Sequence, residues 1–126
     1  MATGQVVLIT GASRGFGAAA ARLIASRGNT IVATMRQPGR DGPAVCAGLE
    51  ERIQATRLDV TDPDQVEHVV REAIDRFGRI DAVINNAGYG LYGPIEDLAE
   101  EEVWRQFDTN VLGQWRVAKA VLPHMR

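Results

Sequence analysis

Residues 5–17 read Gln5-Val6-Val7-Leu8-Ile9-Thr10-Gly11-Ala12-Ser13-Arg14-Gly15-Phe16-Gly17: an apolar run, a turn holding three glycines, and the start of a helix-forming segment. Gln5 to Thr10 is apolar nearly throughout rather than alternating, which predicts a strand covered on both faces at the centre of a parallel sheet. From Gly15 to Arg27 come Ala18 to Ala21, Leu23 and Ile24, good helix formers with an apolar face, and Gly28 is placed to end that helix. A strand that reverses into a helix through glycines presents backbone N–H groups with no side chains in the way. The helix end adds a partial charge of about +0.5, so the turn suits an anion such as a pyrophosphate. A plain strand-to-helix turn would also use glycine for steric reasons, and only the flanking strand and helix make the pattern informative.

The rest of the chain continues the alternation of short apolar runs with amphipathic ones. Thr30 to Met35 is a second strand, and Arg36 to Gly42, with two Gly and one Pro, reads as a loop. Ile53 to Leu58 is a weaker third strand. Asp62-Pro63-Asp64-Gln65 supplies an N-cap, a proline at the first helical position and a capping-box partner; Val66, Val69, Val70, Ala73, Ile74 and Phe77 follow at helical spacing, closed by Gly78. Ile80 to Asn85 is the fourth strand and Asn86 to Pro94 a loop at its carboxyl end. From Glu100 onward the pattern is helical, as two helices broken near Asn110.

Bulk properties exclude several classes. A chain of 126 residues accommodates one domain, and 45% hydrophobic with 24% charged residues at a formal net charge of −2 is ordinary for a globular protein. The basic residues are nearly all arginines, scattered without a stripe that could neutralise a run of phosphates, so no nucleic-acid partner is expected. The apolar runs fall far short of the roughly 20 residues of a membrane span, and no membrane partner is expected. The glycine turn interrupts the early apolar stretch, so no signal peptide is read and a cytoplasmic location is expected. Cys46 is alone, and His68 and His124 are too few and too far apart for a cluster, so no metal site is assigned.

The glycine spacing, Gly-x-x-x-Gly-x-Gly, differs from the common Gly-x-Gly-x-x-Gly dinucleotide fingerprint. Thr10-Gly11 with Gly15 and Gly17 instead resembles the cofactor motif of the short-chain dehydrogenases/reductases. Three further segments match that family in order and spacing: Asp59-Val60 after the third strand, Asn85-Asn86-Ala87-Gly88 after the fourth, and Asn110 in the terminal helical region. The resemblance covers the whole chain. It implies an α/β fold of Rossmann type, a doubly wound parallel sheet with strand order 3-2-1-4 and helices on both faces. Gly11, Gly15 and Gly17, with Ser13, Arg14 and Phe16 among them, are implied to form the pyrophosphate turn. Asp59 and Val60 are implied to contact the adenine, and Asn86, Ala87 and Gly88 to lie under the adenosine ribose. Asn110 is implied to be catalytic, interrupting a helix and holding, through its backbone, a water that links a lysine to solvent. Outside this resemblance Asp59 reads as a strand-end or cap residue, and Asn86 as a turn former.

Which nicotinamide cofactor fits is legible at the end of the second strand. An NAD site usually has Asp or Glu about 20 residues past the glycine turn to accept the ribose hydroxyls. Here Met35-Arg36-Gln37 stands in that place, and a guanidinium attracts a phosphate. With Arg14 in the glycine turn, two cations converge, so NADP is expected rather than NAD.

The family's chemistry uses a Tyr as general acid/base, a Lys four residues later and a Ser. Lys119 is the only lysine, and Trp115 stands four residues before it. Tyr89 and Tyr92 are followed four places on by Gly93 and Glu96, while Ser13 and Ser26 belong to the turn and the first helix. Residues 1–126 are therefore expected to be an NADP-binding domain truncated before the catalytic Ser and Tyr-x-x-x-Lys. The implied activity is carbonyl reduction or alcohol oxidation on a small molecule, by a full-length form that is a homo-oligomer. The alternatives are a non-catalytic NADP-binding module and a nonfunctional gene fragment.

Overall fold

The computed structural model describes residues 4–126. The chain runs β1 (Val6–Ile9), α1 (Gly15–Ser26), β2 (Thr30–Met35), α2 (Pro38–Cys46), β3 (Ile53–Arg57), α3 (Pro63–Phe77) and β4 (Ala82–Ile84). A 3-10 turn (Ile95–Asp97), α4 (Glu100–Phe107), a π turn (Asp108–Leu112) and α5 (Gly113–Met125) follow. The strands form one parallel sheet in the order β3-β2-β1-β4, with Val7 opposite both Ile31 and Ala82. This is the order expected from the sequence, and all four residues of the central β1 are buried.

Strand alternation divides the core in two. Val7, Ile9, Ile31, Ala33 and Met35 pack with Ala21 and Ala25 of α1 and Val45 of α2. Leu8 and Val32 face the other way, onto Val66, Val69 and Val70 of α3 and Val117 and Val121 of α5. Fully burying one such side chain contributes roughly 1.5–3 kcal/mol, so both faces of the sheet are needed to hold it. Asn29, wholly buried, accepts from Gln5 N at 3.0 Å and donates to the Ile24 carbonyl at 3.1 Å, joining the end of α1 to the start of β1.

Four local expectations are corrected. The stretch 36–42 is not all loop, because α2 begins at Pro38, whose fixed φ suits a first helical turn. Gly42 belongs to that helix because it must pass close to the sheet: a Cβ there would lie 3.0 Å from the Ala55 Cβ. β4 is shorter than 80–85. The Asp81 carboxylate takes the Val6 N–H at its start, and the Thr10 hydroxyl takes the Asn86 and Ala87 N–H groups at its end. Asp62 caps α3 by accepting from Asp64 N and Gln65 N, but Gln65 does not complete a capping box; its side-chain oxygen accepts instead from Asp59 N at 2.8 Å. The last helical region is not broken at Asn110 but widened there by a π turn, because the Asn110 side chain bonds across to another loop rather than competing with its own helix.

Candidate functional site

The carboxyl ends of β1, β2 and β3 and the loop after β4 meet at the glycine turn. Ala12 N donates to the Thr34 carbonyl at 2.9 Å, and the Thr34 hydroxyl donates to the Ile9 carbonyl at 2.9 Å, which seats the turn on β2. Thr10 Oγ1 accepts from Asn86 N and Ala87 N, and Asn86 Nδ2 donates to the Gly11 carbonyl at 3.0 Å. The approach is too close for side chains. A Cβ on Gly11, which has φ +63°, would lie 2.8 Å from Ala87 Cα, and one on Gly17 would lie 2.4 Å from the Gly11 carbonyl oxygen. The first N–H groups of α1 lack intrahelical partners, and no side-chain cap or acidic residue in the first turn claims them.

Gly11, Ser13, Arg14, Phe16, Arg36, Asp59, Val60, Asn86, Ala87 and Gly88, all singled out in the sequence, line one cavity of about 600 Å³. Gly17 is buried beneath the turn and Gly15, with φ +60°, is exposed at its outer edge. Asn110 stands behind Gly88, where a Cβ would lie 3.1 Å from Asn110 Oδ1. Met35, Leu58, Tyr89 and Thr109 complete the walls. The first two follow from strand-end positions, whereas nothing local marks Thr109. The Asp59 carboxylate is oriented through Oδ1, which accepts from Thr61 N at 3.0 Å and Thr61 Oγ1 at 2.7 Å.

Asn110 clamps the loop after β4 onto the helices. Its Nδ2 donates to the Tyr89 carbonyl at 2.8 Å and its Oδ1 accepts from Tyr89 N at 3.0 Å. Arg116, unmarked in the sequence, ties α5 to the end of β3 in a similar way, donating to the Val60 carbonyl at 3.0 Å and pairing with Asp108. Gly113 lets α5 come against Val60, since a Cβ there would sit 2.5 Å from Val60 Cγ2.

A second cavity of about 520 Å³ continues from the first, sharing Ser13, Arg14, Arg36 and Asp59 and adding Gln37, Arg40, Asp41, Arg57 and Gln65. Arg40 grips Asp41 through two 3.0 Å hydrogen bonds. That hydrogen bonding holds the Asp41 carboxyl below its usual range, with a weaker pull from Arg14. Among the described residues no group of three His, Cys, Asp or Glu could hold a metal ion, and no helix is long and apolar enough to cross a membrane.

Known proteins share this fold. The chain is 40% identical over 122 residues to an oxidoreductase of Botryotinia fuckeliana, BOA17, a match that covers 97% of this chain and 44% of that protein. A short-chain dehydrogenase from Streptomyces avermitilis superposes with a TM-score of 0.93 at 36% identity, over 100% of this chain and 46% of that one. An alcohol dehydrogenase from Thermococcus sibiricus, complexed with 5-hydroxy-NADP, does so with a TM-score of 0.89 at 35% identity, over 96% and 53%. The chain thus spans about half the length of the relatives it matches. The family model for short chain dehydrogenase matches residues 5–126, and this chain, with its 3-2-1-4 sheet and glycine turn, belongs to that family.

Proposed function

We propose that these residues form the NADP(H)-binding part of an oxidoreductase that reduces a small-molecule carbonyl or oxidises the corresponding alcohol. The carrying observation is the end of β2, where Arg36 stands in place of an acid and borders the same two cavities as Arg14. The residues fit the group. Gly15 is exposed with open space where a Cβ would stand, so a pyrophosphate can approach the backbone N–H groups at the start of α1. Two guanidiniums match a phosphate dianion, whereas they supply no acceptor for the hydrogens of a ribose hydroxyl pair. Asp59, Asn86, Ala87 and Gly88 line the same cavity, where Asp59 would hold an amino-bearing base and Asn86 to Gly88 would lie beneath the ribose. The complex of the Thermococcus relative with 5-hydroxy-NADP supports the phosphate-bearing cofactor. When bound, that cofactor supplies hydride transfer at its nicotinamide.

Asn110 is the catalytic position of the family found in this chain; Tyr-x-x-x-Lys does not occur in it. These residues alone are then expected to bind NADPH without oxidising it. A binding module without chemistry is the second reading, and the sequence of any longer protein containing this chain decides between them: a Ser and a Tyr-x-x-x-Lys favour the enzyme. The cofactor assignment is tested by titrating NADPH and NADH against wild type and Arg36→Asp at one fixed salt concentration. One lost charge-assisted contact shifts the preference at least about tenfold toward NADH. Equal binding of both cofactors by wild type, or an unchanged ratio in the variant, defeats the assignment.

A further inference from the structure

The glycine motif and the end of β2 leave a third cation on the second cavity unexplained. In the parallel register Met35 of β2 lies opposite Arg57 of β3, so Arg57 stands beside the residue that leads into Arg36. Strand alternation puts Arg57 on the face of Ile53 and Ala55, which α2 covers. Arg14, Arg36, Arg40 and Arg57 therefore border one space, with Asp41 and Asp59 as the carboxylates on its walls. Asp41 is committed to Arg40, and Asp59 is engaged by Thr61. Arg14, Arg36 and Arg57 make no side-chain hydrogen bond or ion pair among the described residues. Arginines that hold the fold together are matched: Arg22 donates to the Val45 and Ala47 carbonyls, and Arg116 to Asp108 and the Val60 carbonyl. Three exposed guanidiniums without a hydrogen-bonded partner, gathered on one concave wall, raise the positive potential there and favour a bound anion.

We infer that Arg57 is a specificity-determining residue for the adenosine phosphate, gripping it from β3 on the side away from the glycine turn. The inference rests on the NADP reading above and adds a residue to it. The test titrates NADPH, NADH, adenosine 2′,5′-bisphosphate and adenosine 5′-monophosphate against wild type, Arg57→Gln and, as a charge control, Arg71→Gln on the outside of α3. It is done in the longest protein that contains this chain. Arg57→Gln is expected to weaken NADPH and the bisphosphate about tenfold, leave NADH and the monophosphate unchanged, and flatten the salt dependence of NADPH binding. Arg71→Gln is expected to change none of these. Arg57→Met, which retains the apolar stem, stands in if the Gln variant does not fold. A wild type that prefers NADPH, with a position-57 variant that keeps the preference or weakens all four ligands alike, overturns the inference alone. A wild type that binds both cofactors equally overturns the NADP reading with it.

Discussion

The Thr10 hydroxyl at the end of β1 accepts the backbone N–H of Asn86 at 3.0 Å and that of the next residue, Ala87, at the same distance. One side chain thereby fixes the loop after β4 over the glycine turn. Thr10 is 1% exposed, so Thr10→Val, which keeps the shape, leaves two N–H groups without an acceptor. A loss of about 2 kcal/mol in denaturant unfolding is expected, with Thr10→Ser recovering most of it. If Val and Ser behave alike, the hydroxyl is not what holds the loop.

Gly15 and Gly17 are expected to differ sharply when replaced by Ala. At Gly15 the space is open and only the positive φ is strained, which costs roughly 1–2 kcal/mol. At Gly17 the new Cβ would lie 2.4 Å from the Gly11 carbonyl oxygen and 2.6 Å from Asn86 Nδ2, breaking their hydrogen bond. Gly17→Ala should lose that bond and overpack the turn, about 2–4 kcal/mol together. Thermal unfolding of the two variants side by side checks the order, and the reverse order would refute this geometry.

Asn110→Ala removes both hydrogen bonds to Tyr89 while leaving the π turn free to form. Because the pair is exposed, the global cost is small, about 1 kcal/mol. The local effect is larger: the Tyr89 amide should exchange its hydrogen markedly faster than in wild type, with α3 amides unchanged. Unaltered exchange at Tyr89 would mean that Gln106, which also donates to the Tyr89 carbonyl at 3.3 Å, is the main clamp.

Asp81 makes stability depend on acid. Hydrogen bonding from Arg79, followed by that from Val6 N, lowers the Asp81 pKa. A depressed folded value means the ionised form is favoured by folding, so the contribution is fully present above the unfolded pKa of about 3.9. It disappears as pH falls through the lower folded value. Urea midpoints measured from pH 7 down to pH 3 (a window of about 4 units around the unfolded value) should therefore fall less steeply in Asp81→Asn than in wild type. At pH 7 that variant should be weaker by about 1 kcal/mol, and an equally steep acid limb would assign the effect to other carboxylates.

The strands and α3 were legible because their signals are local: continuous apolar runs, and Asp62-Pro63 before a helical spacing. α2 was not, since Pro38, Gly39 and Gly42 have the composition of a loop, and their helical uses depend on the position of Pro38 and on Ala55 across the gap. The glycine turn, Asp59-Val60 and Asn86 to Gly88 could be picked out as motifs, and they do converge on one cavity. Arg57, Arg116 and Thr109 could not. Arg57 meets the arginine cavity only through the pairing of β3 with β2, and Arg116 reaches Val60 across 56 residues of chain.

The hydrogen bond from Asn86 Nδ2 to the Gly11 carbonyl joins residues 75 apart in sequence. Contacts of such separation are entropically expensive until the intervening chain is already ordered, and so they form late. The groove is accordingly a product of the completed sheet rather than of any helix or hairpin that could assemble early. Nascent or partly unfolded chains would have no turn closed against Ala87 and hence no competent cleft. Any molecule that settles there draws the folding equilibrium toward the finished state by mass action, making occupancy a readout of how much of the population is intact.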